Sequence, residues 1–138
     1  MKNKTFGWFS LILRGELLNL REIEMITGVS CSRFISKKFS ISMPHSKDTW
    51  IYKEEYQSIK DNDLSTEINK ALNAFLDKFE KIDYSELKKC SDEAYVTIYV
   101  CSDNAQIGFS LDNKLMQRLY NFGIDIEYSI MSMGLVEE

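Results

Sequence analysis

Apolar and polar residues alternate at period two in some stretches of this chain and recur every three or four residues in others. The switch between the two periods marks its elements. Trp8 to Leu13 predicts a first strand, with Phe9, Leu11 and Leu13 on one face. Trp8, Ser10 and Ile12 share the other face, which the pattern implies is partly covered. A helix follows, with Asn19 as N-cap, Glu22 three positions on as in a capping box, and Leu20, Ile23 and Ile26 on one side. Gly28 ends it, because glycine takes the left-handed conformation without strain. Phe34 to Met43 predicts a second strand, in which Phe39, Ile41 and Met43 alternate with Ser40 and Ser42. Pro44 to Asp48 reads as a loop, Thr49 to Tyr52 as a short strand, and Glu54 to Asp63 as polar and irregular.

The clearest helix spans Leu64 to Ile82, where Ile68, Leu72, Phe75, Phe79 and Ile82 form one stripe and Asp63 or Ser65 can cap the start. Tyr95 to Cys101 is β-branched and aromatic throughout, the strongest strand signal in the chain. Ser102-Asp103-Asn104 reads as a turn and Gln106 to Leu111 as a returning strand, so the pair predicts a hairpin. Asp112 then caps a helix carrying Leu115, Met116, Leu119 and Tyr120, which Gly123 closes. In the last strand, Ile124 to Met133, Ile124, Ile126, Tyr128 and Ile130 face one way and Asp125, Glu127 and Ser129 the other. The predicted order is β-α-β-β-α-β-β-α-β. The fold class is α+β: a mostly antiparallel twisted sheet of about five or six strands with about three helices. Phe9-Ser10-Leu11 and Phe109-Ser110-Leu111 each precede a capped helix, a glycine and a strand, a faint echo that duplication or the common grammar of such units explains.

Composition narrows the class. The 138 residues fit one domain, 1–138, and six glycines with one proline leave no room for a long flexible linker. The basic start and the apolar run Phe6 to Leu13 imitate a short signal peptide, but the run stops at Arg14-Gly15-Glu16 with no small-residue cleavage pattern after it. It is also shorter than the roughly 18 apolar residues a membrane span needs. The expected location is therefore the cytoplasm, without a membrane partner. Cys31, Cys90 and Cys101 are odd in number and irregularly spaced, which suggests neither a disulfide framework nor a zinc site. The net charge of −4 disfavours nucleic acid as a partner, since Lys37-Lys38 and Lys88-Lys89 are isolated pairs rather than a basic stripe.

Catalytic and cofactor signatures are missing. His45 is the sole histidine, in a predicted loop, and no G-x-S-x-G elbow accompanies it. Asp61-Asn62-Asp63 begins like a calcium loop, but the positions that need glycine and glutamate hold Thr66 and Leu72. No glycine-rich phosphate loop occurs. Asp125 and Glu127 share a strand face and would repel unless solvated or bound to a cation. Tyr95 and Tyr99 share a face that lacks the basic neighbours a base-stacking platform requires. The reading is of a protein with no catalytic residues, no metal and no cofactor.

The order of elements resembles the bacterial domain-of-unknown-function family four-two-seven-nine, from about Phe9 to Met133. The carriers are Leu11 to Gly28 with Glu22-Ile23, then Trp50, the helix Leu64 to Ile82 and the strand Tyr95 to Cys101. Most telling is Ile107 to Leu111 followed by Leu115, Leu119, Gly123, Ile124-Asp125-Ile126-Glu127 and Tyr128. Val29 to Arg33 departs from the pattern by lacking a proline. The resemblance implies a small cytosolic domain, some of whose kind sit beside toxin genes, and it carries no catalytic residues.

The function expected from the sequence is a protein-binding module: an immunity protein that neutralises a cognate bacterial toxin, possibly a basic nuclease drawn in by the acidic charge. The expected contact zone holds Glu54, Glu55, Asp61 and Asp63, flanked by the aromatic residues Trp50, Tyr52 and Tyr56. The alternatives are a small-ligand sensor or regulatory domain, and an undescribed enzyme using carboxylates.

Overall fold

In the structure, a computed structural model, residues 5–37, 47–58, 64–82, 84–104 and 107–135 are described. The opening alternation forms β1 (Thr5–Gly15), the central strand of a five-stranded sheet. After it come α1 (Leu20–Thr27), β2 (Arg33–Ile35), β3 (Asp48–Ser58), α2 (Leu64–Asp77), α3 (Tyr84–Cys90), β4 (Glu93–Asn104), α4 (Asn113–Phe122) and β5 (Asp125–Leu135). Across the sheet the strands run β2-β3-β1-β4-β5. Every neighbouring pair is antiparallel except β4 and β5, which are parallel and joined through α4.

The period-two pattern of β1 decides the architecture. Phe9, Leu11 and Leu13 are buried together with Trp50, Val96, Ile98 and Val100 from the strands on either side. The helices cover this face with Ile23 of α1, the stripe Ile68, Leu72 and Phe75 of α2, Leu87 of α3, and Leu115 and Leu119 of α4. All of these belong to one apolar cluster. Trp8, Ile12, Ile51, Tyr95 and Tyr99 stand outside it, on the opposite face of the sheet.

The helix ends follow the expected capping chemistry. The Asn19 side chain accepts from the Glu22 amide at 3.2 Å, and Gly28 (φ 76°) closes α1 with its amide donating to the Glu24 carbonyl at 2.8 Å. Asp112 accepts from the Leu115 amide at 2.8 Å, and Gly123 (φ 77°) closes α4. Arg118 clamps α4 to α2, donating to the Asn73 carbonyl at 3.1 Å and pairing with Asp77 at 2.6 Å.

Four expectations need correction. β3 extends to Ser58, so 54–58 is strand rather than irregular, because these residues pair with Thr5 to Phe9 of β1. The long helix stops at Asp77, and Phe79 and Ile82 stay buried in tight turns whose amides bond three residues back. α3 escapes the periodicity because it is a seven-residue helix with only Leu87 fully inside. Finally, 107–111 is not a strand, and the predicted hairpin is replaced by β4 lying between β1 and β5. Polar side chains of α2 supply the hydrogen bonds that a neighbouring strand would have made. Ser65 accepts from the Ser110 amide at 2.9 Å, and Asn69 accepts from the Asp112 amide at 2.9 Å. The sequence echo between Phe9-Ser10-Leu11 and Phe109-Ser110-Leu111 therefore has no structural counterpart at the strand. Of the predicted strand Phe34 to Met43, Phe34 and Ile35 are strand, within β2, Ser36 and Lys37 are not, and 38–43 lie outside the described residues.

Burial raises the phenol pKa of Tyr56, and also that of Tyr84, where the nearby Arg118 charge partly opposes it. In the unfolded chain both titrate near about 10. Above that pH the unfolded chain has lost protons that the folded chain keeps, so stability falls as pH rises. Urea midpoints should fall most steeply beyond about pH 10, after a smaller decline from about pH 9 that the raised Cys90 thiol contributes, with the Tyr56→Phe variant losing part of the steeper drop. A midpoint constant to about pH 11 would show that these phenols are not protected.

Candidate binding surface

On the face of the sheet away from the helices, the strand registers set side chains in rows. Trp8 lies opposite Tyr99 of β4 and Glu55 of β3. Ile12 lies opposite Ile51 and Tyr95, and Tyr95 opposite Asp125 of β5. Residues directly opposite in a ladder share a face and touch. The Trp8 and Tyr99 rings stack with centroids 3.9 Å apart and planes 8° from parallel. From the strand on the other side of Trp8, the Lys53 ammonium sits 4.7 Å from the indole centroid and also pairs with Glu55 at 3.4 Å. The Tyr99 hydroxyl donates to the Met131 sulfur at 3.6 Å. A short aromatic ridge, Trp8 of β1 stacked on Tyr99 of β4, thus stands on this face between Lys53 of β3 and Met131 of β5, with Phe6 42% exposed beside it.

One end of this face is acidic. Asp92, Glu93, Asp125 and Glu127 border an open cavity of about 770 Å³, together with Arg14 and the Tyr95 ring. Arg14 pairs with Glu93 at 3.3 Å, and Lys47 with Asp92 at 3.4 Å. Among the described residues no cation pairs with Asp125 or Glu127. Burial, and after it the charge of Glu127, raises the Tyr95 phenol pKa. No group of three or more His, Cys, Asp or Glu side chains among the described residues is placed to hold a metal ion.

The expected contact zone is divided by the same period-two rule. Trp50 is fully buried on the helix side, and its indole nitrogen lacks a hydrogen-bond partner among the described residues, so it is core rather than a surface anchor. Tyr52 packs on Phe75 and Phe79, and its hydroxyl donates to Glu54 at 2.7 Å. Lys78 of the turn after α2 forms an ion pair with Glu54 and donates to the Tyr52 hydroxyl at 3.0 Å. Tyr56 leans over β1, its hydroxyl donating to the Tyr99 carbonyl at 2.9 Å. Among the described members of the zone, only Glu55 reaches the open face. Asp61, Asp63 and His45 lie outside the described residues. The Trp8–Tyr99 ridge did have a sequence signal, the second faces of the first strand and of the Tyr95 to Cys101 strand, but the two segments could be joined only by their pairing.

The three cysteines are free thiols. Cys90, which donates to the Leu87 carbonyl at 3.3 Å, has its pKa raised by burial and by the Glu22 charge, the reverse of an activated nucleophile. No helix among the described residues is long and apolar enough to cross a membrane.

A mixed five-stranded sheet with a helical layer on one face and an aromatic ridge on the other defines a one-sided α+β domain. The chain belongs to the family described as Domain of unknown function (DUF4279), whose profile matches residues 3–133. No curated protein and no solved structure matched it.

Proposed function

We propose that this chain is a non-catalytic, cytoplasmic protein-binding module that captures a cognate bacterial toxin on the open face of its sheet. The observation that carries the reading is the Trp8–Tyr99 stack on the central strand and its neighbour, with Glu55 opposite Trp8, Glu127 one row away on β5, and Glu93 and Asp125 at the far end of the same face. Large aromatic side chains held in place by stacking on a rigid support are frequent anchors of protein interfaces, since little side-chain freedom remains to be lost on binding. The acidic border and the net charge of −4 favour a basic partner such as a nuclease, whose approach they would speed by steering. The resemblance to domains found beside toxin genes points the same way.

The test is the affinity of the purified chain for the proteins that the genes beside its own encode, with Trp8→Ala as the probe; no binding to any of them would overturn the reading. Loss of an anchor of this kind should weaken binding by about thirtyfold or more, and the association rate should fall as salt rises. Undiminished affinity in Trp8→Ala, with loss in Glu54→Ala, would move the interface to the helix side.

A second reading rests on the open cavity of about 770 Å³ beside Tyr95, where Asp125 and Glu127 would receive a cationic small molecule. It covers the sensor alternative and, if those carboxylates move protons, the enzymatic one. A thermal shift with polyamines or arginine that Asp125→Asn abolishes would favour it over the first.

A further inference from the structure

We propose that β5 is the interface of a homodimer in which two copies pair edge to edge, antiparallel, about a two-fold axis at Ser129. Among the described residues β5 has a ladder neighbour on one side only, β4, so along Asp125 to Met131 the amides and carbonyls of its other edge have no strand partner there. Soluble proteins protect such edges with lysine, proline, short length or a covering element. The sequence of this strand, Asp125-Ile126-Glu127-Tyr128-Ser129-Ile130-Met131-Ser132-Met133-Gly134-Leu135, has neither lysine nor proline. Tyr128, Ile130 and Met131 are 49%, 53% and 50% exposed. On the helix side Tyr128 and Ile130 form one wall of an apolar groove of about 460 Å³, closed by Ile107, Phe109, Leu111 and Met116.

The charge pattern selects the occupant. Both carboxylates of the strand, Asp125 and Glu127, lie before Tyr128, and no charge lies between Tyr128 and Leu135. With the axis at Ser129, the acidic half of each copy meets the uncharged half of the other. Glu127 falls opposite Met131, and Tyr128 opposite Ile130, an aromatic and β-branched pair of the kind that stabilises ladders. The strand is thus complementary to itself in the antiparallel sense, the arrangement a closed two-fold dimer needs. Such a ladder keeps like faces on one side, so the two open faces would join into a single ten-stranded surface. The dimer does not depend on the toxin-binding reading.

Sedimentation of the full chain tests it directly. The expected mass is twice the 16.1 kDa of one chain. Ile130→Lys, which sets a cation on each side of the axis at an exposed position, should weaken dimerisation at least about tenfold while leaving the circular dichroism unchanged. In Ser129→Cys the two thiols would stand opposite each other within disulfide reach, so mild oxidation should give a covalent dimer that the unsubstituted chain does not form. A chain that stays at 16.1 kDa overturns the proposal. So does a dimer that resists Ile130→Lys and gives no cross-link through Ser129→Cys, since its interface would then lie elsewhere.

Discussion

Gly7→Ala should unfold the domain or destabilise it by about 3 kcal/mol or more, a large share of the stability of a domain this size. Gly7 sits in the central strand, opposite Tyr56 on one side and Val100 on the other. A Cβ built there would meet the Tyr99 carbonyl oxygen at 1.9 Å and the Tyr56 hydroxyl at 2.7 Å. These two atoms are hydrogen-bonded to each other across the glycine. The side-chain clash can be relieved by moving the Tyr56 ring. The backbone clash can be relieved only by separating β1 from β4, and that ladder holds the middle of the sheet. The double variant Gly7→Ala/Tyr56→Ala should therefore recover little of the loss. Chemical denaturation of the two variants beside Tyr56→Ala alone measures this, and a Gly7→Ala protein within about 1 kcal/mol of the parent would show that β1 and β4 are less tightly joined than described.

Phe75→Ala should cost about 3–5 kcal/mol. The ring is fully buried where α2 meets the sheet, 5.9 Å from Phe9, 6.1 Å from Tyr52 and 5.1 Å from Phe79, centroid to centroid. Its removal leaves a cavity that three ring neighbours on β1, β3 and the turn after α2 cannot fill without giving up their own packing. Phe75→Leu, which restores most of the volume, should recover more than half of the loss. Equal losses for the two variants would mean that aromatic ring contacts, rather than filled volume, hold α2 in place. Both variants leave Trp8 and Tyr99 untouched, so folded protein that survives either change should keep the Trp8–Tyr99 stack.

Much of the fold was legible along the chain. Stripes such as Ile68-Leu72-Phe75 and the alternation Phe9-Leu11-Leu13 identify helix and strand because each periodicity follows from local backbone geometry. Asn19, Gly28, Asp112 and Gly123 mark helix ends for an equally local reason: their side chains or their left-handed φ complete the last hydrogen bonds. The failures are also physical. Gln57 and its neighbours look like a loop because polar residues dominate there, yet a ladder with β1 makes them strand. The segment 107–111 looks like strand, but its backbone partners are Ser65 and Asn69 on a helix.

The candidate surface was only half legible. The sequence paired Tyr95 with Tyr99 and Trp8 with Ile12, each within its own segment, and placed Trp50 among surface anchors. Only the register brings Trp8 onto Tyr99, and only the packing of four helices on one side sends Trp50 inward and leaves Trp8 outward.

By itself, then, the amino-acid order determined which residues share a face, where helices begin and end, and that no familiar catalytic motif is present. The tertiary structure alone decided the strand order β2-β3-β1-β4-β5, the parallel pairing of β4 with β5, and which face of the sheet the helices cover. Periodicity is a property of neighbouring residues. Strand order and face selection depend instead on contacts between segments far apart in the chain, whose energies favour one arrangement only when all the helices and strands are packed together.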